Sequence, residues 1–286
     1  MKAVASVSSS LLDVLRLLVP GASNRTLRQL LSQGRVSVNG KACKLAARKV
    51  RSGDIVEIGP RRAPTRLPAG LEILFEDNDI LIIHKPAGLL TVATVDEREQ
   101  TAYFYLRQYL QERNRRQKLF IVHRLDKHAS GVLVFAKSEK VQSMLQGVFS
   151  RHEIQRKYWA IVEGNVEKDR GTIRSRLAED KSLRMHSTAD KTRGKPAVTH
   201  FRVLRRAGKL SALEVTLETG RKNQIRAHLS EMGHPIAGDR AYGSSLNPLR
   251  RLGLHAFQLG FKHPVSGASL VFRTDPPPEF RKYLPK

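Results

Sequence analysis

The sequence predicts an α+β protein in two domains, and three observations predict it. Its 286 residues, at about 150 per domain, make one or two domains and suffice to bury a core without disulfides or metals. The stretch Pro60-Arg61-Arg62-Ala63-Pro64-Thr65-Arg66-Leu67-Pro68 sets three prolines and three arginines in nine residues, the composition of a stiff basic linker. Beyond it, strand patterns follow one another without a full βαβ rhythm, which favours a mixed, mainly antiparallel sheet. The domains are therefore placed at 1–62, a small α/β unit with the start of the linker, and at 63–286.

In the small domain, Ser10 is placed to cap a helix whose Leu11, Leu12, Leu15 and Leu18 share one face, ended by Pro20-Gly21. Ser23 caps a second helix, with Leu27, Leu30 and Leu31 inward and Gly34 just past its end. Val36-Ser37-Val38 alternates as a strand, Asn39-Gly40 favours a hairpin turn, and Asp54 to Ile58 closes the unit as a last strand. Residues 1–62 hold 12 Lys or Arg against Asp13, Asp54 and Glu57, a net of 12 − 3 = +9. Arg25, Arg28, Arg35, Lys41, Lys44, Arg48, Lys49 and Arg51 are left on the polar surface, either as a solvated face or as a contact for a polyanion.

In the second domain, Leu71–Phe75 and Ile80–Ile83 read as a hairpin about the turn Glu76-Asp77-Asn78-Asp79. A helix over about 100–115 puts Ala102, Tyr105 or Leu106, and Tyr109 inward. Ile121-Val122 leads into a loop, Val132–Ala136 is a strand, and Glu139–Arg151 a helix. Arg156–Gly164 is a strand, and Leu213, Val215 and Leu217 alternate with polar residues as in a half-exposed one. Arg221 to Met232 reads as a helix ended by Gly233, and the segment after Pro276–Pro278 as a short capping helix.

Composition narrows the function. Lys and Arg number 51 against 26 Asp and Glu, a net charge of +25, which makes nucleic acid the leading partner and an anionic membrane surface the rival. No run approaches the roughly 18 apolar residues needed to span a bilayer. The opening MKAVASVSSSLLDVLRLL reads poorly as a signal peptide, because Asp13 and Arg16 interrupt it. The single Cys43 forms no internal disulfide and builds no zinc cluster, so a reducing compartment, the cytoplasm, is expected. Aromatics at 6% exclude a wide base-stacking platform. No P-loop, no GxGxxG after a strand and no metal-ligand spacing is present.

Three segments carry candidate chemistry. In Ile121-Val122-His123-Arg124-Leu125-Asp126-Lys127-His128-Ala129-Ser130-Gly131, a carboxylate sits between cations on a small-residue loop ahead of a strand. Taken alone, Asp126 is either a held nucleophile or a local ion pair pinning the loop. In Gly220-Arg221-Lys222-Asn223-Gln224-Ile225-Arg226, the arginines are five apart and do not share one helical face squarely. In Arg156-Lys157-Tyr158-Trp159, Tyr158 alone reads as core.

Their order and spacing resemble the RluA-type pseudouridine synthase family from about Leu71 to the C-terminus. The marks are HRLD followed by Ser-Gly and a strand, Gly-Arg before Gln-Ile-Arg, GHPIAGDRAYG at 233–243, HKPAGLL at 84–90 and GKPAVTHFRVL at 194–204. Residues 8–58, with SNRTLRQLLSQGRVSVNGK, resemble the S-four RNA-binding domain, which implies RNA backbone contact by Arg25, Arg28, Arg35 and Lys41. The fold implied is a pseudouridine synthase domain behind an S-four-like domain.

The resemblance makes Asp126 the catalytic aspartate and Arg226 the arginine that pairs with it and orients it. It makes Tyr158 the residue that stacks on the flipped uracil and handles its carbon 5 proton, Arg124 the arginine that helps extrude the nucleotide, and Ile225 a wall of the base pocket. Arg221 and His123 join the substrate-binding set, His123 in a structural hydrogen-bonding role. Lys127-His128-Ala129, Lys222-Asn223 and His84 depart from the commoner family residues, but none takes a place with a proposed chemical role. Isomerising uridine needs no redox cofactor, nucleotide or metal, and one carboxylate suffices, whereas a glycosidase would use two.

Large-subunit ribosomal RNA is the expected substrate, transfer RNA the second, and a monomer is expected. A non-catalytic RNA-binding or ribosome-assembly factor is the rival, but pure binding would tolerate loss of Asp126, Tyr158 and Arg226. The basic run Arg174, Arg176, Lys181, Arg184, Lys191, Arg193 and Lys195 reads as an RNA-contacting edge or as solvated strand charges. Cys43 is expected to be buried and inert, and His186, His200, His234, His255 and His263 show no sign of sharing a site.

Overall fold

The computed structural model describes residues 2–5, 8–32, 34–59 and 67–285, leaving aside the Gln29 side chain. Residues 60–66, most of the expected linker, lie outside the described residues. Contacts divide the chain into two units, Met1–Arg66 and Leu67–Lys286.

The first unit runs β1 (Lys2–Val4), β2 (Ser9–Ser10), α1 (Leu11–Leu18), α2 (Asn24–Ser32), β3 (Val36–Val38), β4 (Lys41–Ala42), β5 (Lys49–Val50) and β6 (Ile55–Ile58). Ser10 caps α1 by accepting from the Asp13 amide at 3.3 Å, and Ser23 accepts from the Thr26 amide at 3.2 Å at the start of α2. Leu11, Leu15, Leu27 and Leu31 are buried, each contributing about 1.5–3 kcal/mol over an exposed position. Leu12, Leu18 and Leu30 pack only at the margin of that core. Asn39 and Gly40 both take left-handed φ, 52° and 76°, the requirement of a two-residue hairpin whose twist matches its strands. Asn39 also reaches across the sheet, accepting from the Ile55 amide and donating to Asp54, both at 2.8 Å. Strand order is β1-β6-β3-β4, with β2 and β5 paired apart.

The second unit runs β7 (Glu72–Glu76), β8 (Ile80–Lys85), α3 (Ala102–Arg113), β9 (Phe120–Ile121), β10 (Ser130–Ala136), α4 (Glu139–Ser150), β11 (Gln155–Glu163), β12 (Arg170–Glu179), β13 (Met185–Ser187), β14 (Lys195–Ala207), β15 (Leu210–Leu217), α5 (Gln224–Glu231), β16 (Leu254–Lys262) and β17 (Ser269–Arg273). Among the described residues these strands form an eleven-stranded sheet ordered β13-β12-β14-β15-β11-β16-β10-β8-β7, with β17 on β16 and β9 on β10. β10 pairs parallel with β16, and its neighbour β8 is antiparallel, so the sheet is mixed and mainly antiparallel. All seven residues of β10 are buried, which explains an unbroken apolar run rather than an alternating one.

The parallel step depends on one glycine. Gly131 has φ of 123°, and a Cβ there would collide with the backbone of Ala256 on β16.

Several elements differ from the sequence expectation. α3 buries Ala102, Leu106 and Leu110 at spacing four, which leaves Tyr105 and Tyr109 at the margin. Tyr109 keeps its hydroxyl on Glu76 at 3.0 Å. α5 starts at Gln224, not Arg221, because Asn223 takes a left-handed φ of 50° and breaks the first turn. The C-terminal cap is a 3-10 turn, Pro278–Phe280, that plugs the core with Phe280 and Leu284. β14 and β16 pass unnoticed in the sequence; β16 is buried from Leu254 to Phe261 and so has no apolar–polar alternation to mark it.

Candidate active site

The loop between β9 and β10 carries Asp126 and is held from below by the segment after β8. Thr91 donates its hydroxyl to the Leu125 carbonyl at 2.8 Å and accepts from the Leu125 amide at 3.2 Å. The Gly88 amide donates to the Lys127 carbonyl at 2.8 Å. Lys85, fully buried, donates its ammonium to the carbonyls of Pro86 (2.9 Å), Leu89 (2.7 Å) and Lys127 (3.2 Å). Burial pushes this ammonium down to about 7, with Asp126 pulling it up and Arg251 pulling it down.

The far end of the loop is tied to β16 and β17. Arg251 donates to the Ser130 hydroxyl at 2.6 Å, Ser130 bonds the His255 Nδ1 at 2.7 Å, and His255 Nε2 meets Thr274 at 3.0 Å. Burial pushes His255 down to about 3. The ring is therefore neutral, with Nδ1 accepting from Ser130 and Nε2 donating to Thr274.

Arg226, on α5, reaches Asp126 Oδ2 with Nη1 at 3.4 Å. Its closer partner is Asp239, which takes Nε at 2.6 Å and Nη2 at 2.8 Å in a two-pronged, almost wholly buried pair. Asn223 accepts from Nη1 at 3.0 Å, and the Tyr242 ring lies 4.7 Å from the guanidinium. Arg226 thus does pair with Asp126, but its shorter bonds go to Asp239. Asp239 fixes the arginine, which then presents one nitrogen to Asp126. Burial lowers the Arg226 pKa, but the bond and charge of Asp239, then Asp126, outweigh it and the net shift is upward.

Asp126, Tyr158, Arg226, Ile225, Arg124, Arg221 and His123 all line one cleft of about 490 Å³. Tyr158 projects from β11 and is buried, and burial pushes its hydroxyl pKa up, with Arg156 opposing and Asp126 adding. Ile225 is buried on α5, beside Leu217 and Leu254 in the lining. Arg124 is exposed at the rim, and Arg221 donates to the Pro196 carbonyl at 3.0 Å. His123 Nε2 accepts from the Val134 amide at 3.3 Å, the ring lies 4.7 Å from Phe149, and burial with Arg156 nearby pushes it down to about 3. That is a structural acceptor, not a base. A second cleft of about 410 Å³ shares Arg124, Asp126, Asn223 and Arg226 and continues to Lys127, His128 and Arg251.

Sequence reasoning missed Lys85, Asp239 and Arg156. The first two stand inside HKPAGLL and GHPIAGDRAYG, where their types gave no hint of a partner. Arg156 stands two residues before Tyr158 on one strand, and period-two alternation puts it on the same face. Asp77, Asp79 and His263 also gather. His263 Nδ1 accepts the amides of Val265 and Ser266 at 3.3 and 3.0 Å, so Nε2 carries the ring proton toward Asp77 at 3.1 Å and offers no lone pair to a metal.

In the first unit, Arg25, Arg28 and Lys41 are exposed, while Arg35 is half-buried and donates twice to the Gly59 carbonyl at 3.1 Å. Cys43 is buried. Lys181, Lys191, Arg193 and Lys195 are exposed about β13, and that arm is latched to the turn before α5 by Lys222, which pairs with Glu179 and donates to the Leu183 carbonyl at 2.9 Å.

A strongly basic chain whose arginine-lined cleft holds one carboxylate and a tyrosine is built to work chemically on a polyanion. That is the class of RNA-modifying enzymes. Comparison with known proteins makes the class specific. The family model for RNA pseudouridylate synthase matches residues 79–231, and that for the S4 domain matches residues 11–56. An uncharacterised RNA pseudouridine synthase of Bacillus subtilis (strain 168), YhcT, is 36% identical over 258 residues, covering 87% of this chain and 84% of its own. Ribosomal large subunit pseudouridine synthase D of Escherichia coli (strain K12) is 33% identical over 278 residues, covering 90% and 84%. The solved human RNA pseudouridylate synthase domain containing 4 shares the fold, with a TM-score of 0.62 at 24% identity over 74% of this chain and 92% of its own. The chain belongs to the RNA pseudouridylate synthase family: it is an isomerase acting on RNA, with an S4 domain at its N-terminus.

Proposed function

We propose that Asp126 is the catalytic carboxylate and that the substrate is a uridine of large-subunit ribosomal RNA. The observation that carries the first part is the placement of Asp126 in the cleft beside Arg226, with Tyr158 and Ile225 forming the other walls. The second part is supported by relatives that carry the name ribosomal large subunit pseudouridine synthase D. Uridine becomes pseudouridine when the bond from C1′ to N1 breaks, the ring turns and C5 joins C1′. Asp126 either attacks C1′ or removes the 2′ proton, and both routes use the same carboxylate position. Tyr158 supplies an aromatic face worth about 1–3 kcal/mol to an unstacked base. Arg124 at the rim and the basic surfaces, Arg25, Arg28 and Lys41 among them, contact phosphates and offset an extrusion cost of a few kcal/mol. Action as a monomer in the cytoplasm belongs to the same proposal.

Nucleotide-resolution mapping of pseudouridine in total RNA, with and without the gene, tests this reading. The expected result is loss of a discrete large-subunit ribosomal site that wild type restores and Asp126→Ala does not. Loss of a transfer RNA site would replace the substrate, and restoration by Asp126→Ala would refute the catalytic assignment.

A further inference from the structure

Arg156 is a buried cation that the fold does not neutralise. Only 7% of the residue is exposed, yet it lines the reaction cleft, on the same face of β11 as Tyr158. Nη2 donates to the Glu218 carbonyl at 2.9 Å, and the Phe149 ring lies 5.3 Å from the guanidinium. Nε is buried with no hydrogen-bond partner among the described residues, and no carboxylate there comes within ion-pair distance of the group. Burial works against its charge, and the neighbouring Arg221 repels it. Gly220 keeps the space open, since a Cβ there would collide with Nη1. A guanidinium buried without a counter-ion costs several kcal/mol, a cost that persists where the missing anion belongs to a ligand.

We propose that Arg156 is a catalytic residue of the isomerisation, binding the carbonyl edge of the target uracil and stabilising the negative charge the base acquires on leaving C1′. The proposal rests on the reading of the Asp126 cleft as the reaction site. When the C1′–N1 bond breaks, its electron pair stays with the base and spreads over N1 and the ring carbonyls. The ring turns and C5 bonds to C1′, as the Asp126–C1′ ester bond breaks or the C1′–C2′ double bond regains its 2′ proton; C5 then loses its proton and N1 gains one, so atoms and charge balance without a co-reactant. Between these steps the base is an anion held without a covalent tether. Arg226 is already committed to Asp239, Asn223 and Asp126, whereas Arg156 has donors to spare. A fixed cation in a water-poor wall acts where charge develops, without reorganising at the moment of reaction.

The competing occupant is a backbone phosphate, and the test separates the two. Arg156→Gln and Arg156→Lys are compared with wild type for melting, for substrate RNA affinity across salt, and for single-turnover rate. The rate is read as loss of the target nucleoside in nuclease digests, with either uridine or 5-fluorouridine at the target. Fluorine stabilises the base anion by itself, so it substitutes in part for the arginine. Arg156→Gln should lose about 10²- to 10³-fold in rate on uridine, as for one lost oxyanion donor, with RNA affinity within about threefold. On 5-fluorouridine the deficit should shrink by about tenfold or more. Arg156→Lys, which keeps the buried charge, should fall between and carries the test if the glutamine variant does not fold.

Weaker affinity with a shallower salt slope and an intact rate at saturation would assign the group to a phosphate and overturn the proposal. An equal deficit on both nucleosides, or wild-type rates, would overturn it as well. Asp126→Asn is run alongside. Conversion by that variant would sink the reading of the cleft, whereas a dead Asp126→Asn beside a fully active Arg156→Gln would sink only the role of Arg156.

Discussion

Replacing Asp239 by Asn separates the group that builds the site from Asp126, the group proposed to react. Asp239 is 3% exposed and takes two hydrogen bonds from Arg226, at 2.6 and 2.8 Å. The amide keeps one acceptor but turns a donor toward a guanidinium that has only donors. Breaking a buried ion pair by removing one partner costs about 3–5 kcal/mol, and the surviving acceptor argues for the lower end, about 3 kcal/mol. For a unit the size of Leu67–Lys286, roughly 2–4 °C per kcal/mol gives a fall in its melting temperature of about 6–12 °C. The contact of Asp126 with the same arginine is 3.4 Å long and its side chain is 28% exposed, so Asp126→Asn should cost about 0–1 kcal/mol. Calorimetry and release of tritium from 5-tritiated uridine in substrate RNA read the two properties side by side. Asp239→Asn should melt low and turn over about 10²-fold more slowly, because Arg226 is no longer aimed. Asp126→Asn should melt like wild type and release nothing. The opposite ranking of melting temperatures would show that Asp126, not Asp239, holds Arg226, and the reasoning would fail.

Three further outcomes follow from the same geometry. The folded pKa of Lys85, about 7, lies below the ordinary lysine value of about 10.4, so the folded state binds fewer protons between those limits and this group makes stability rise with pH there. The stability of wild type relative to Lys85→Met should therefore climb with pH, by about 0.7 kcal/mol per unit at pH 7 and close to 1.4 kcal/mol per unit between about pH 8 and 9, and parallel denaturation profiles would contradict the burial argument. Substituting Arg25, Arg28 and Lys41 together by Gln should flatten the log-affinity against log-salt slope for substrate RNA by about 0.7–0.9 per lost phosphate contact, and an unchanged slope would remove them from the interface. Gly131→Ala must push β10 away from Ala256 and adopt a φ of 123°, so a loss of about 3 kcal/mol or more is expected in thermal unfolding, whereas a wild-type melt would disprove the close approach.

What the sequence determined by itself were features whose causes lie within a few residues or within a motif. Ser10 and Ser23 caps, the Asn39-Gly40 turn and the apolar run of β10 were legible because a cap, a turn and a continuous core strand each leave a local signature. Asp126, Tyr158, Ile225 and Arg226, which the structure gathers in one cleft, were singled out through the order of HRLD, Gly-Arg before Gln-Ile-Arg, and the tyrosine strand. Tertiary structure alone decided which of those residues serve which. Asp126 and Arg226 are one hundred positions apart, and the arginine is clamped by Asp239 from a third segment, a choice that follows from chain packing and not from spacing. The start of α5 slipped because a left-handed Asn223 is set by the bonds of Gln224 to Thr219 and Arg221, and no propensity encodes that. Lys85 and Arg156 are ordinary cations in the sequence. They became informative once the fold withdrew them from water, because the free energy of a charge depends on what surrounds it and not on its neighbours along the chain.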